Sequence, residues 1–316
     1  MSDIFSFTTI KQPPSIDLRM GNCLDILSGQ ENVYDSVITD PPYEIGLHGK
    51  GWDQTGITFS SDLWSKLFRA LKPGAFLAAF SIPRLYHRMA VAAEDAGFEL
   101  YPFMVWKFDG GLPKPINLSE LFDRDNLTER KIIGYRNGSG YTKANVDQGA
   151  QARTHIQFPI YARHVSQEAQ DWRGWFYGVN TLKPCLEPIL IAQKPIQAGR
   201  MIDSVRQWGV GALNVEVLKI KTGNWPTTIL EHKKAKKADH QSDHPSVKPV
   251  GVMEDLCSLL CPPGGLVLDP FAGTGTTGIA ARHLGLNCVL IELNPKMEEV
   301  IQRRLNGAVS TQECSL

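Results

Sequence analysis

Asp40-Pro41-Pro42-Tyr43 is the first stretch whose residue types could do chemistry. It follows directly on Ser36-Val37-Ile38-Thr39, an apolar, β-branched run that reads as a short buried strand. The two prolines stop that strand and bring no N–H of their own, so the carbonyls of Thr39 and Pro41 fall outside a continuing ladder. An acid, a bare carbonyl and an aromatic ring therefore collect at the carboxyl end of a strand, where open α/β sheets bind ligands. The chemistry these groups suit is attack by an exocyclic amino group of a nucleobase. Such a nitrogen is a poor nucleophile because its lone pair is delocalised into the ring. If the Asp40 carboxylate and the Pro41 carbonyl each accept one N–H, the nitrogen moves towards a tetrahedral form and the lone pair is freed. Tyr43 can stack on a base taken out of a duplex, where it would otherwise be out of reach. The plainer alternative is a strand, a Pro-rich turn and a solvated aspartate.

A second constellation lies far downstream. Gly265-Leu266-Val267-Leu268-Asp269-Pro270-Phe271-Ala272-Gly273-Thr274-Gly275-Thr276-Thr277 reads as a strand, a Gly-rich turn and a helix start, with Thr276 or Thr277 as candidate cap. Cys288-Val289-Leu290-Ile291 is a further strand ending in Glu292, an acid placed to accept a ribose hydroxyl pair. A strand, a Gly-x-Gly turn, a helix, a strand and an acid also occur in any nucleotide binder.

Together the two stretches resemble the amino-methyltransferases that methylate DNA bases with S-adenosylmethionine. Asp40, Pro41, Pro42 and Tyr43 resemble that family's catalytic tetrad. Asp269, Pro270, Phe271, Ala272, Gly273, Thr274, Gly275 and Thr276 resemble its methionine-binding motif. The catalytic motif comes first here, which resembles the β class. Related enzymes acting on glutamine or small molecules usually carry the cofactor motif first. Aspartate at the first tetrad position implies adenine methylated at N6, with cytosine at N4 as the alternative. A methyltransferase for RNA or a protein amide fits the motif order less well. A catalytically silent cofactor- and DNA-binding module is opposed by the unsubstituted tetrad. The resemblance also implies cofactor contacts for Asn22, Cys23 and Asp25, where the family has Gly-Asp-Cys-Leu and this chain Gly21-Asn22-Cys23-Leu24. It implies that His244-Pro245-Ser246-Val247-Lys248-Pro249 wraps the methionine end, with His244 flanking and Ser246 and Lys248 reaching its carboxylate. Asn294, after Glu292, completes the expected cofactor set. Lys183-Pro184 to Glu187-Pro188-Ile189, Gly211-Ala212-Leu213-Asn214 and Trp225-Pro226 resemble the phage and prophage subgroup.

The elements that must position these residues follow from periodicity. Ile16 to Met20 alternates like a strand, and Gly21 to Leu27 turns into a short helix. Leu63, Leu67, Phe68 and Leu71 share a helix face closed by Lys72-Pro73-Gly74, then Ala75 to Phe80 reads as strand. Leu85 to Ala96 is helical and Phe98 to Trp106 a strand. Val252 to Leu260 and Lys296 to Leu305 are helical, and 307–316 a frayed tail. The βαβα succession predicts an α/β fold: a doubly wound, mostly parallel Rossmann-like sheet with permuted motif order. Glu44 to Ile57, with His48, Lys50, Trp52 and Asp53, reads as a mobile loop closing over base or cofactor.

Residues 108–181 break the pattern. They are polar and Gly-rich, with Arg130, Lys131, Arg136, Lys143, Arg153, Arg163 and Arg173 among Tyr135, Tyr141, Tyr161, Trp172, Trp175 and Tyr177. Basic residues with aromatics suit phosphate contact and base stacking. The expected organisation is a catalytic half at 1–107, an inserted target-recognition region at 108–181 and a cofactor-binding half at 182–316.

The 316 residues balance 33 Lys and Arg against 33 Asp and Glu, which opposes a uniformly basic DNA-coating protein but not a local basic cleft. The six cysteines show no CxxC pair or zinc spacing, and no metal is expected because the sulfonium methyl is already activated. No signal peptide opens the chain and no apolar run reaches the ~18 residues of a membrane span. The expectation is a soluble protein in the cytoplasm of a bacterium or phage-infected host, acting on double-stranded DNA. Homodimers occur in the class, though no interface is legible in the sequence.

Overall fold

The computed structural model describes residues 13–46, 53–111, 113–126, 131–140, 154–161, 165–197, 199–235 and 247–312. The chain divides into two compact units, Met1–Asp109 with Cys185–Leu316, and Gly110–Pro184.

The first unit is built on one sheet. Its strands are β1 (Ile16–Met20), β2 (Tyr34–Thr39), β3 (Leu71–Phe80), β4 (Glu99–Leu100) and β5 (Met104–Lys107). The second unit holds β6 (Ile116–Asn117), β7 (Ile132–Gly140), β8 (Thr154–Tyr161) and β9 (Phe176–Tyr177), after which the first resumes with β10 (Leu186–Gln193), β11 (Ile229–Glu231), β12 (Leu266–Asp269) and β13 (Asn287–Glu292). The order across the large sheet is β1-β13-β12-β2-β3-β10-β5-β11, with β4 also on β10. All its pairings are parallel except those made by β10. The antiparallel strand has a simple cause. The chain leaves the sheet at the carboxyl end of β5, runs through the second unit and re-enters beside β5, so it must return in the opposite direction. Phe108 N donates to Cys185 O where the two arms part.

Helices cover both faces. α1 (Cys23–Ile26), α2 (Ser61–Ala70) and α3 (Tyr86–Asp95) pack on one, where Leu63, Trp64, Leu67 and Met89 are fully buried with Val37, Leu77 and Leu268. On the other lie helices Val250–Leu260, Thr276–His283 and Glu298–Gln312, with Leu256, Ala280 and Ile301 buried against Ile38, Val267 and Leu290. Successive strand residues alternate between these clusters, Val37 to one and Ile38 to the other, as the two-residue period of a strand requires. This is the doubly wound arrangement expected.

Several boundaries differ from the sequence reading. Lys72-Pro73-Gly74 does not lie outside the strands but within β3, where Gly74 has φ +85° and its N–H donates to Lys194 O. The run 98–106 is two short strands interrupted at Pro102. The last helix continues to Gln312 rather than fraying at 307. Asp35 ties the centre together: one carboxylate oxygen takes Lys72 Nζ at 2.6 Å and the other the Leu266 amide at 2.7 Å, fixing β12 beside β2.

The described residues of the second unit form regular elements where the sequence reads as irregular. β7 and β8 form an antiparallel hairpin and β6 pairs with β9. Helices Leu118–Asp125 and Gln167–Asp171 join through buried Asp123, whose carboxylate accepts from the Val165 and Ser166 amides and the Ser166 hydroxyl. Phe122 stacks on Trp172. Arg130, Tyr141, Lys143, Arg153 and Arg163 lie outside the described residues.

Candidate active site at the strand tips

β2 and β12 are parallel neighbours, so Asp40 and Pro270, each the first residue beyond its strand, emerge side by side. The joint is a hydrogen bond from Thr39 Oγ1 to Asp269 Oδ1, 2.7 Å. Asp269 also accepts from Thr277 Oγ1 at 2.5 Å and the Phe271 amide at 3.1 Å. It is 3% exposed, and burial pushes its carboxyl up to about 6 against the pull of these donors. Its oxygens are thus committed to shaping the turn. Glu292 holds the turn from the next strand, accepting from Gly273 N and Asn294 N at 2.8 Å each. Burial raises the Glu292 carboxyl while those amides lower it. Gly273 and Gly275 both have positive φ, and a Cβ on Gly275 would sit 2.9 Å from Ile301 Cγ2. The helix cap is therefore Gly275, not Thr276 or Thr277, which lie in the first turn. Arg304 binds the carbonyl and hydroxyl oxygens of Thr274 and the hydroxyl of Thr276 from the last helix.

A cavity of about 1060 Å³ opens over these tips. Asp40, Pro41, Pro42 and Tyr43 line one part of it, and Pro270 to Thr274, Thr276, Glu292 and Asn294 another. Asn22 and Cys23 line it as well, whereas Asp25 is exposed on the short helix and does not. Asn22 is the N-cap there: its Oδ1 accepts from Leu24 N, and Asp25 follows one turn away from the opening. Gly275 is not part of the lining. Burial pushes the Cys23 thiol up to about 11, leaving it protonated and unsuited to act as a nucleophile. His244 and Ser246 lie outside the described residues, as do His48, Lys50 and Trp52. The described flanks of that last segment are anchored: the Asp53 carboxylate accepts from the Glu44 and Ile45 amides, and the Glu44 carboxylate from Gly56 N. Thr58 Oγ1 donates to Pro42 O at 2.6 Å.

Asp40 has an asymmetric environment. Its Oδ2 accepts from Lys248 Nζ at 2.6 Å, while its Oδ1 is buried with no partner among the described residues. Lys248 is 4% exposed and also donates to Tyr43 Oη at 2.9 Å. Tyr43 in turn donates to Glu187 Oε2 at 2.7 Å, an oxygen that lies 3.3 Å from Lys248 Nζ. Burial pulls the Lys248 amine down, but the Asp40 and Glu187 carboxylates together hold it above its usual range. Burial raises the Asp40 carboxyl, with Lys248 opposing and Glu187 adding. Lys248 lines the cavity and is engaged there with Asp40 and Tyr43. Sequence reasoning missed Glu187 as part of this site. The signal was present in the Glu187-Pro188-Ile189 segment, but its placement depends on the reversed direction of β10.

The chain belongs to the N6/N4 DNA methylase family, whose model matches residues 34–303. It is 29% identical over 248 residues to the Type II methyltransferase M.HindIII of Haemophilus influenzae, covering 77% of this chain and 67% of that one. Among solved structures, TTHA0409, a putative DNA modification methylase of Thermus thermophilus complexed with S-adenosylmethionine, superposes with TM-score 0.53 and 20% identity over 93% of this chain and 94% of that one. PvuII DNA methyltransferase, described as cytosine-N4-specific, does so with TM-score 0.54 and 14% identity over 94% and 96%.

The cofactor of the family is S-adenosylmethionine, and the residues present fit it. The cavity is long enough to span two motifs, the turn at Gly273 brings backbone close without a Cβ in the way, and Asp40, Asp269 and Glu292 give the acidic lining a sulfonium cation favours. Among the described residues no group of His, Cys, Asp and Glu could hold a metal, and no helix is long and apolar enough to cross a membrane.

Proposed function

We propose that this DNA methylase transfers a methyl group to the exocyclic N6 amino group of adenine in double-stranded DNA, with the base turned out of the helix. The observation that carries this reading is Asp40, which lines the same cavity as the glycine turn and whose buried Oδ1 is an acceptor without a partner among the described residues. An unmet buried acceptor costs on the order of 1–3 kcal/mol unless something donates to it. An amino N–H is such a donor. S-adenosylmethionine supplies an activated methyl on a sulfonium sulfur. Asp40 accepts one amino hydrogen and the Pro41 carbonyl the other, which draws the nitrogen lone pair out of the ring. Tyr43, held by its hydroxyl, presents a ring to the base. Asp269 shapes the turn 270–276, Glu292 fixes Gly273 and offers its outer lone pairs to ribose hydroxyls, and Asn22 and Asn294 flank the adenosyl end. When the N–C bond forms and the S–C bond breaks, the amino nitrogen becomes cationic and sheds a proton to solvent.

Aspartate at the first tetrad position favours adenine. Cytosine N4 is the second reading, because a methyltransferase of the same fold, that of PvuII, is described as cytosine-N4-specific. The second unit is read as the target-recognition region: Tyr135, Trp175 and Tyr177 are exposed there, with Arg136 and Arg173 also at the surface. The Type II methyltransferase relatives suit a restriction–modification role in a bacterial or phage-infected cell.

The test is transfer of labelled methyl from the cofactor to unmethylated genomic duplex DNA, followed by mass spectrometry of the nucleosides. N6-methyladenine is expected, and N4-methylcytosine as the product selects the second reading. Asp40→Ala should lose transfer while keeping cofactor affinity. Near wild-type methylation by that variant would remove Asp40 from the chemistry.

A further inference from the structure

We infer that Lys248 and Glu187 are positioning residues that set both the charge and the geometry of the acceptor: Lys248 occupies one oxygen of Asp40 and favours its ionised form, and Glu187 anchors Lys248 and the Tyr43 ring from the reversed strand. This rests on the reading of Asp40 as acceptor and extends it to the groups that make the acceptor work.

The four side chains come from three distant segments. Asp40 and Tyr43 follow β2, Glu187 is the second residue of β10, and Lys248 precedes the helix Val250–Leu260. They form a closed set. Lys248 Nζ donates to Asp40 Oδ2 at 2.6 Å and to Tyr43 Oη at 2.9 Å, and forms an ion pair with Glu187 Oε2 at 3.3 Å. The Tyr43 hydroxyl donates to Glu187 at 2.7 Å while accepting from Lys248. The ammonium is enclosed by rings, with Phe80, Tyr43 and Trp106 centroids at 4.9, 5.2 and 5.9 Å. It has little room to turn elsewhere. One Asp40 oxygen is thus taken by Lys248 and the other is left without a partner among the described residues, so the carboxylate keeps a single acceptor for an amino group.

The charges add a second effect. Among the described residues, the titratable and charged groups facing Asp40 are Lys248, Glu187, Tyr43 and, from the end of β12, Asp269. Two carboxylates alone in such a site would share a proton, and a protonated Asp40 is a poorer acceptor. The buried cation opposes that, against the burial and the Glu187 charge that raise the Asp40 carboxyl. With Lys248 in place, Asp40, Glu187 and Lys248 together carry one net negative charge, which suits a cationic sulfur and a nitrogen that becomes positive as it is methylated. A role limited to packing would fix the geometry but would not set the protonation of Asp40.

The distinguishing readout is the acid limb of the pH–rate profile, measured with the full-length protein, labelled cofactor and unmethylated genomic duplex DNA. Removing the cation by Lys248→Met favours the protonated form of Asp40, so the limb moves to higher pH, by about one unit or more. Removing the anion by Glu187→Gln favours the ionised form, so the limb moves to lower pH. That change keeps an acceptor for the Tyr43 hydroxyl. Lys248→Arg restores the limb towards that of the unaltered protein. Opposite shifts, with cofactor affinity retained, support the inference. Limbs that stay put, or that move in the same direction, overturn it. If Lys248→Met does not fold, the direction of the Glu187→Gln shift decides. Asp40→Ala separates the two levels: an active Asp40→Ala enzyme defeats the acceptor reading itself, whereas an inactive one with unmoved limbs in the other variants defeats this inference alone.

Discussion

Asp269 illustrates how a single buried acid can serve a site at a cost to the fold. Its carboxyl releases its proton near 6 in the folded chain, against a usual 3.8. Between those values the folded state holds a proton that the unfolded chain has lost. Stability is therefore favoured by Asp269 at low pH and eroded as pH rises through 4 to 6. Asp269→Asn removes this dependence. The stability of the unaltered protein relative to Asp269→Asn should fall between pH 4.5 and 7, measured by denaturant midpoints at both. An unchanged difference would mean that the carboxyl titrates normally. Cofactor binding runs the other way. The ionised carboxylate favours a cationic sulfur, so affinity measured by calorimetry should weaken as pH drops below about 6, and less so in Asp269→Asn.

At the scale of elements, the turn between β12 and the helix Thr276–His283 is where backbone geometry matters most. Gly275 has φ +78°, and a Cβ there would press on Ile301 of the last helix at 2.9 Å. Gly275→Ala should cost roughly 1–3 kcal/mol from the left-handed backbone and the contact combined, visible as a lower melting temperature. It should also weaken cofactor binding, because Ala272 to Thr276 shift together. A melting temperature equal to that of the unaltered protein would show that Ile301 yields without strain. The reversed strand β10 has a comparable importance, since its direction brings Glu187 to the same end of the sheet as Tyr43. A strand running the other way would carry position 187 to the opposite rim.

For the whole molecule, the second unit offers aromatic surface that packing does not explain. Trp175 is 62% exposed and Tyr177 66%. Replacing either with Ala should leave stability within about 0.5 kcal/mol. If the unit recognises DNA, each loss should weaken binding to duplex DNA by roughly 1–3 kcal/mol, as for a lost base–aromatic stack, with cofactor affinity untouched. Unaltered DNA affinity in both variants would point recognition to other residues.

The sequence by itself determined the sheet class, the two motif-bearing strands and most of the cavity lining. These are local matters: a β-branched run stopped by prolines and a Gly-x-Gly turn after a buried strand each dictate their own backbone. Asp25 went astray because adjacency in sequence does not say which side of a one-turn helix faces the opening. Glu187 was noticed as a pattern but not as part of the site, because its role depends on strand direction. That direction was decided only when the long excursion through residues 110–184 returned beside β5. The pairing of Lys248 with Asp40 was likewise a tertiary outcome. A buried ammonium must find a counter-charge, and only the packed structure shows which carboxylates lie within 4 Å.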